Sequence, residues 1–333
     1  MIVGGQDMLA VETKQLTKDF ETKDTLLRAV NNLDLSIEES EVYSLLGPNG
    51  AGKTTTVRML TGILHPTLGS ARVLGLDIIK EAQEVRGKVG LLTETPALYE
   101  RLTVRQNLEF IAKLYDVTKE DIRHRIEEIV DLFDISEKID LSAGSLSKGM
   151  KQKVAIARAI IHNPPVIFLD EPTASLAPES AKIVRNQIHE LSKKEKRTFF
   201  ICTHNLFEAE RLSSRVGIIN HGILIAQGSP EVLRELKKDE TVTIFRFVKW
   251  NPEIESFIKK QNIEIIDTNP NLNSISVAIS DIEKQTPPII ESLINQKHNI
   301  IEVRHEYPTL EKIYLELVET ESIPRDAEEE EEL

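Results

Sequence analysis

The sequence predicts an α/β fold: a mixed central sheet with an antiparallel β subdomain and a helical subdomain, followed by a small α+β domain. Short, largely apolar runs at Val42–Leu46, Val166–Leu169 and Thr198–Thr203 alternate with helical patterns, as buried parallel strands do. A glycine-rich segment, GPNGAGKT at Gly47–Thr54, joins the first of these runs to a helical stretch. Beyond about Lys237 the pattern changes to short strands and helices in the order βαββαβ, a ferredoxin-like arrangement.

Composition narrows the classes. The chain has 333 residues, 40% hydrophobic and 29% charged, an ordinary globular balance with room for a sizeable core. No apolar run approaches the roughly 18–20 residues that span a bilayer, and Met1–Lys14 lacks the basic start and apolar centre of a signal peptide. The one cysteine, Cys202, lies in an apolar run, which excludes a disulfide framework and suits a reducing cytosol. A formal charge of −13 argues against broad nucleic-acid binding.

Each element follows from its local pattern. Leu9–Phe20 and Leu26–Ile37 alternate apolar and polar residues and read as antiparallel strands. Phe20 is either a stacking face for a purine base or a rim core residue. Val42–Leu46 is a buried strand and Thr54–Leu64 a helix. After the turn His65–Gly69, Ser70–Leu74 and Lys88–Leu92 read as strands around a short helix at Glu81–Arg86. From Thr103 to Phe133 the apolar spacing is helical, which predicts a helical subdomain over about residues 97–165. Ser147 is placed to cap a helix through Val154, Ala157 and Ile161, ended by Pro164 and Pro165. A helix near Glu179–Leu191 follows, then the strand ending at His204. Arg215–Gln227 reads as a hairpin turning near Gly222, and Ser229-Pro230-Glu231 opens a short helix.

The boundary falls near residue 236. In the second domain, residues 237–320, Val242–Val248, Ile263–Asp267, Ser274–Ile279 and Ile300–Arg304 read as strands. Helices are expected from Asn251-Pro252 to Lys260, near Ile289–Asn295, and from Pro308 to Val318. Residues 321–333, with the run Glu328–Glu332, read as a solvated acidic tail.

The glycine-rich segment carries the chemistry. Gly47, Gly50 and Gly52 lack a Cβ, so successive N–H groups can line a nest for phosphates at the start of the following helix. Lys53 is placed for phosphate oxygens and the Thr54 hydroxyl for Mg²⁺. The strand ending in Asp170-Glu171 supplies a carboxylate for Mg²⁺ and another to orient and deprotonate an attacking water. Ser147 and Gly149 form a second anion-suited helix start. Within one chain that start is redundant: it is an N-cap and nothing more, or it serves another subunit's nucleotide.

Here the residues resemble a family, the ATP-binding subunits of ABC (ATP-binding cassette) transporters, over roughly Leu9 to Leu236. Gly47, Pro48, Asn49, Gly50, Ala51, Gly52, Lys53, Thr54 and Thr55 resemble its Walker A segment, LSKGM at Leu146–Met150 its signature, and VIFLDEP at Val166–Pro172 its Walker B. The resemblance implies the P-loop NTPase cassette fold, ATP and Mg²⁺ as ligands, and ATP hydrolysis. It implies a head-to-tail dimer in which Ser147 and Gly149 touch the γ-phosphate held by the partner subunit. It also implies that His204 is the switch histidine and Phe20 the adenine-stacking aromatic.

This sequence departs from the family pattern in places. Glu94 stands where a glutamine that senses Mg²⁺ is usual, and a carboxylate can still ligate the ion or orient water. Lys148 replaces a common glycine and Met150 a common glutamine. Ala177 stands where an aspartate usually links the two ATP sites, so weaker coupling is expected. The second domain, ending in Tyr307–Tyr314, resembles the C-terminal extension of exporter ATP-binding subunits, with a regulatory or dimer-stabilising role or a purely fold-completing one.

The implied protein is a cytoplasmic ATPase, peripheral on the inner face of the membrane, that energises a separate multi-span permease, for export. Its partner ATP-binding subunit is a second copy or a different chain, and no nucleic acid is involved. The alternative is a soluble ABC-type switch acting on ribosomes or DNA. Such proteins carry paired cassettes or a coiled-coil insertion, and this chain has one cassette and no heptad run.

Overall fold

The computed structural model describes residues 9–21, 25–95, 97–174, 176–235, 241–307 and 309–320. Strands β1 (Leu9–Glu21) and β2 (Leu26–Glu38) are long and amphipathic and pair antiparallel, with register shifts that bend them. β3 (Val42–Leu46) runs into α1 (Lys53–Leu60). α1 ends before Leu64 because Gly62, at φ 64°, lets its own N–H bond Met59 O and Ile63 N–H bond Arg58 O, a Schellman stop.

β4 (Leu68–Val73) pairs with β1 and with β5 (Leu76–Asp77), a two-residue strand too short to leave a periodic signal. α2 (Ala82–Lys88) and β6 (Val89–Leu92) follow, then α3 (Val104–Leu114), α4 (Lys119–Leu132) and α5 (Lys148–Ile160). The chain returns as β7 (Val166–Asp170), α6 (Pro178–Glu195), β8 (Thr198–Thr203), α7 (Leu206–Leu212), β9 (Arg215–Asn220) and β10 (Ile223–Gly228). α7 goes beyond the sequence expectation; Asn205 caps it by accepting from Glu208 N.

The mixed sheet has the order β10-β9-β3-β8-β7-β6, with parallel pairing from β9 to β6 and an antiparallel hairpin at β9–β10. Successive residues of its buried strands point into different cores. Ile167, Leu169, Phe199 and Ile201 join the core under α3, α4 and α5, while Val166, Phe168, Phe200 and Cys202 join the core shared with β1, β2 and α1. Burial on both faces is why these strands read as continuous apolar runs.

Contacts divide the chain into compact units Met1–Ser229 and Pro230–Leu333. The second opens with α8 (Pro230–Glu235) and continues β11 (Val242–Phe247), α9 (Pro252–Lys260), β12 (Ile265–Asn269), β13 (Ser274–Ala278), α10 (Ile282–Asn295), β14 (Ile300–Glu306) and α11 (Leu310–Thr320). Its sheet order is β12-β13-β11-β14, antiparallel throughout, the split βαβ arrangement of ferredoxin-like domains. α10 begins well before the expected Ile289. Asp281 caps it, and Pro287 and Pro288 lie inside it. Burial of Thr286, Ile289 and Leu293 carries the helix through prolines that alone cost about 3 kcal/mol each. The acidic tail expected at 321–333 lies outside the described residues.

Candidate functional site

β3 delivers the chain into the glycine-rich loop against the end of β8, where Gly47 N–H donates to Thr203 O at 3.2 Å. A Cβ at Gly47 would lie 2.3 Å from the Ile219 carbonyl oxygen, so only glycine lets these strand ends close up. Gly52 precedes α1 at φ 105°, and a Cβ there would lie 2.3 Å from Ala29 O. α1 has no side-chain cap and no acidic residue in its first turn. Its unpaired N–H groups and positive dipole end are therefore left for an anion. Lys53 is buried, and its Nζ donates to Gly47 O (2.7 Å) and Pro48 O (3.0 Å). Among the described residues no carboxylate forms a salt bridge with it, so its charge is available to an incoming phosphate.

β7 ends at Asp170, which is 3% exposed and accepts a hydrogen bond from Thr54 Oγ1 at 2.8 Å. Burial pushes the Asp170 carboxyl above the usual carboxylate range; the Thr54 hydrogen bond opposes that, and the nearby charges of Glu171 and Glu94 add to it. Glu171 takes φ 50°, a left-handed conformation that strains a residue bearing a Cβ. Its backbone is tied down by Glu171 N–H to Cys202 O at 2.9 Å and by Gln152 Nε2 donating to Glu171 O and Pro172 O at 3.3 and 3.2 Å. Its carboxylate faces His204. Oε1 accepts from His204 N at 2.8 Å and lies 2.6 Å from His204 Nδ1, while Oε2 accepts from Thr203 Oγ1 at 3.1 Å.

These groups share a cleft of about 900 Å³. The loop from Asn49 through Gly50, Ala51, Gly52, Lys53 and Thr54 to Thr55 lines it, with Asp170, Glu171, Glu94 and His204. Phe20, Leu27 and Ala29 supply an apolar part of the lining; Phe20 and Leu27 are cross-strand partners on β1 and β2. Lys18 Nζ lies 5.2 Å from the centre of the Phe20 ring. The cleft thus combines a flat ring, an anion nest, a lysine and clustered carboxylates.

Ser147 and Gly149 do not line this cleft, although Lys148 between them does. Ser147 is the N-cap of α5, its hydroxyl accepting from Met150 N at 3.3 Å. Ala177 occupies the N-cap of α6 with no side-chain bond to the helix. Gln152, Lys148, Leu27 and Ala29 are lining residues that the sequence did not mark as such. Gln152 alone carried a signal, a polar residue among the apolar positions of α5, where it is 3% exposed.

A family profile described as "ABC transporter" matches residues 30–174. The chain is 39% identical over 226 residues to the ABC transporter ATP-binding protein NatA of Bacillus subtilis, covering 67% of this chain and 91% of that one. It is 30% identical over 308 residues to the bacitracin transport ATP-binding protein BcrA of Bacillus licheniformis, covering 92% of this chain and 97% of that one. Among solved structures, the dimeric post-hydrolysis state of the ATP-binding cassette MJ0796 bound to ADP and Pi matches with a TM-score of 0.62 and 26% identity, covering 66% of this chain and 98% of that one.

Proposed function

Because the chain belongs to the ABC transporter ATP-binding proteins and is an ATPase of the P-loop cassette fold, we propose that it energises a separate membrane permease, for export, through the cleft described above. The observation that carries this reading is the meeting of the phosphate loop, Asp170, Glu171 and His204 in one cleft with Phe20. The adenine base stacks on Phe20, and the loop N–H groups with Lys53 hold the phosphates.

The donor set suits Mg²⁺. Thr54 Oγ1 and Asp170 Oδ2 lie 2.8 Å apart, and Asp170 is a buried carboxylate crowded by other acids, an environment that a hard dication relieves. Among the described residues no group of three or more His, Cys, Asp or Glu is gathered for a metal alone. The phosphates would complete the ligand set, as Mg²⁺ sites commonly require, and Glu94, which lines the same cleft, would be a further ligand. When bound, the ion held by Thr54 and Asp170 would neutralise phosphate charge. Glu171 orients the attacking water and accepts its proton, and His204 positions the γ-phosphate.

The working unit is a head-to-tail pair, of two copies or of this chain with a different cassette. Ser147 and Gly149 stand outside their own chain's cleft, as groups serving a partner's γ-phosphate would, and the solved cassette MJ0796 is dimeric by its description. No described helix is long and apolar enough to cross a membrane, in keeping with a separate permease and a peripheral place on the inner membrane face. Export is the direction implied by the second domain's resemblance to the C-terminal extension of exporter ATP-binding subunits, and the likeness to the bacitracin transport protein, covering 92% of the chain, extends into that unit. That unit regulates the pair or stabilises it.

Glu171→Gln tests the reading. We expect retained ATP binding, a nucleotide-trapped dimer on sedimentation, and hydrolysis lowered roughly 10²–10⁴-fold, the usual share of a positioned base. Hydrolysis at the unaltered rate removes Glu171 from the mechanism, and a strictly monomeric variant with saturating Mg-ATP removes the dimer.

A further inference from the structure

Glu171 and His204 leave neighbouring strands, and each is followed by a helix: the segment after Glu171 leads into α6, and Asn205 opens α7. At the strand ends the two segments are tied by short bonds. Thr203 Oγ1 donates to Glu171 Oε2 at 3.1 Å and accepts from Asn205 N at 3.0 Å, and Asn205 Oδ1 accepts from Glu208 N at 3.2 Å. Farther out, α6 and α7 are tied again. Arg185 Nη1 of α6 donates to Glu208 Oε1 of α7 at 2.6 Å, with side chains only 12% and 8% exposed. Among the described residues Glu208 Oε2 accepts no hydrogen bond, so Arg185 is the group that answers its charge by contact. The chain of contacts therefore closes on itself, from Glu171 through Thr203, Asn205, Glu208 and Arg185 to α6 and back. Neither Arg185 nor Glu208 lines the cleft.

Resting on the reading of Glu171 and His204 above, we propose that Arg185 is a positioning residue for hydrolysis, holding α7 through Glu208 so that His204 keeps its place against Glu171 and the γ-phosphate. α7 has seven residues, and helices shorter than about 12–15 residues are marginal by themselves, so its position is set by what it is fastened to. Its buried Ala209 and Leu212 supply apolar contact, which tolerates small slides. A charge-assisted hydrogen bond fixes one length and one direction. A buried ion pair is a poor device for stability, since apolar side chains of similar volume often do as well or better. Its use at this place is geometric: α6 starts from the Glu171 segment, so the pair holds the helix behind His204 to the helix behind Glu171. The phosphate loop and Lys53 leave β3 and take no part in the circuit, so nucleotide binding does not depend on it.

The test measures kcat for ATP hydrolysis by the full chain beside the Kd for magnesium–AMP-PNP. Arg185→Met should lower kcat roughly tenfold to a hundredfold, the cost of a misplaced group, and leave the Kd within about twofold of wild type. Arg185→Lys should recover most of the rate, because the contact uses a single N–H. Arg185→Met with Glu208→Met leaves no buried charge alone, so it keeps the fold, and it should lose as much rate as Arg185→Met. In a His204→Ala background Arg185→Met should cost nothing further, because residues acting as one unit do not add. The proposal is overturned if the double-methionine variant hydrolyses at the wild-type rate, or if Arg185→Met costs the same factor with and without His204. A Kd that weakens in step with kcat marks a general loosening of the first unit and overturns it too. Wild-type hydrolysis by His204→Ala itself removes the reading of His204, whereas an additive cycle removes the Arg185 role alone.

Discussion

The mixed sheet of the first unit and the sheet of the second are built on opposite rules, and the difference locates the phosphate chemistry. β3, β7 and β8 are buried at every residue and run parallel as neighbours, so their C-terminal ends lie along one edge. The Gly47 loop, Glu171 and His204 leave from that edge and converge by topology alone. In the second unit β11 and β13 alternate buried with less buried residues, and each neighbour runs antiparallel, so successive strand ends fall at opposite edges. Such a sheet offers no shared rim of loops. Fully buried parallel strands thus bring the phosphate loop, Glu171 and His204 to one rim, while the antiparallel pair β1–β2 adds the apolar part of the cleft through Phe20 and Leu27.

The strongest way to break this contrast is to damage the second sheet. Phe245 is fully buried and packs with Phe247, Ile254 and Val277 in that unit's core. Phe245→Ala should cost about 3–5 kcal/mol there. Calorimetry should show one transition falling while the transition that ATP raises stays in place, with hydrolysis kept. Hydrolysis falling in step with that transition would mean the units are not functionally separate.

Damage to the shared rim should act the other way. Gly52→Ala must hold φ 105° with a Cβ 2.3 Å from Ala29 O, so the loop has to shift. Misplacement of about 1 Å at a reacting centre costs on the order of 10²-fold. Hydrolysis should fall by that order with the second unit's melting unchanged. Gly75→Ala, also at positive φ (75°) but with nothing within 4 Å of its Cβ, should leave activity near wild type.

The same contrast governs what the sequence made legible. Val42–Leu46 and Thr198–Thr203 were readable to the residue because burial on both faces leaves a largely apolar run with no charged residue. Pro252–Lys260 was readable because Asn251 and Pro252 start a helix by local chemistry. α10 was not, because Pro287 and Pro288 argue locally for a break that tertiary burial overrides. In the site, the loop and Asp170-Glu171 are contiguous and announce themselves. The left-handed turn at Glu171 and the grip of Gln152 on its carbonyl are products of packing between α5 and the end of β7. The place of Lys148 in the cleft likewise depends on how α5 lies against the rim, which no local pattern encodes.

Asp170 sharpens the point that the rim is built for chemistry at the expense of stability. Its folded-state pKa is raised, so the folded chain holds that proton more tightly than the unfolded one does. Stability is therefore lost as pH rises from the ordinary carboxylate range through the raised value, and the loss persists at neutral pH. With divalent ions chelated, Asp170→Asn should melt higher than wild type at neutral pH, and the gap should close toward acid. Hydrolysis with Mg²⁺ should fall in the same variant. A variant that melts lower at neutral pH would mean the Thr54 hydrogen bond outweighs burial.

The smallest expected effect is at Ala177, on the segment that leaves β7 beyond Glu171. α6 begins there with Pro178 and no side-chain cap, and Ala177 has the extended backbone (φ −62°, ψ 153°) that capping residues adopt. Ala177→Asp should add a carboxylate acceptor for the first free N–H groups and stabilise the first unit by about 1 kcal/mol. In a unit of this size that amounts to roughly 2–4 °C in Tm. The same carboxylate is the group usually found in the segment linking paired ATP sites, so the cooperativity of hydrolysis with ATP should rise as well. A Tm gain with unchanged cooperativity would make Ala177 a missing cap and nothing else. A rise in cooperativity without the Tm gain would place the new carboxylate on the partner subunit rather than on its own helix.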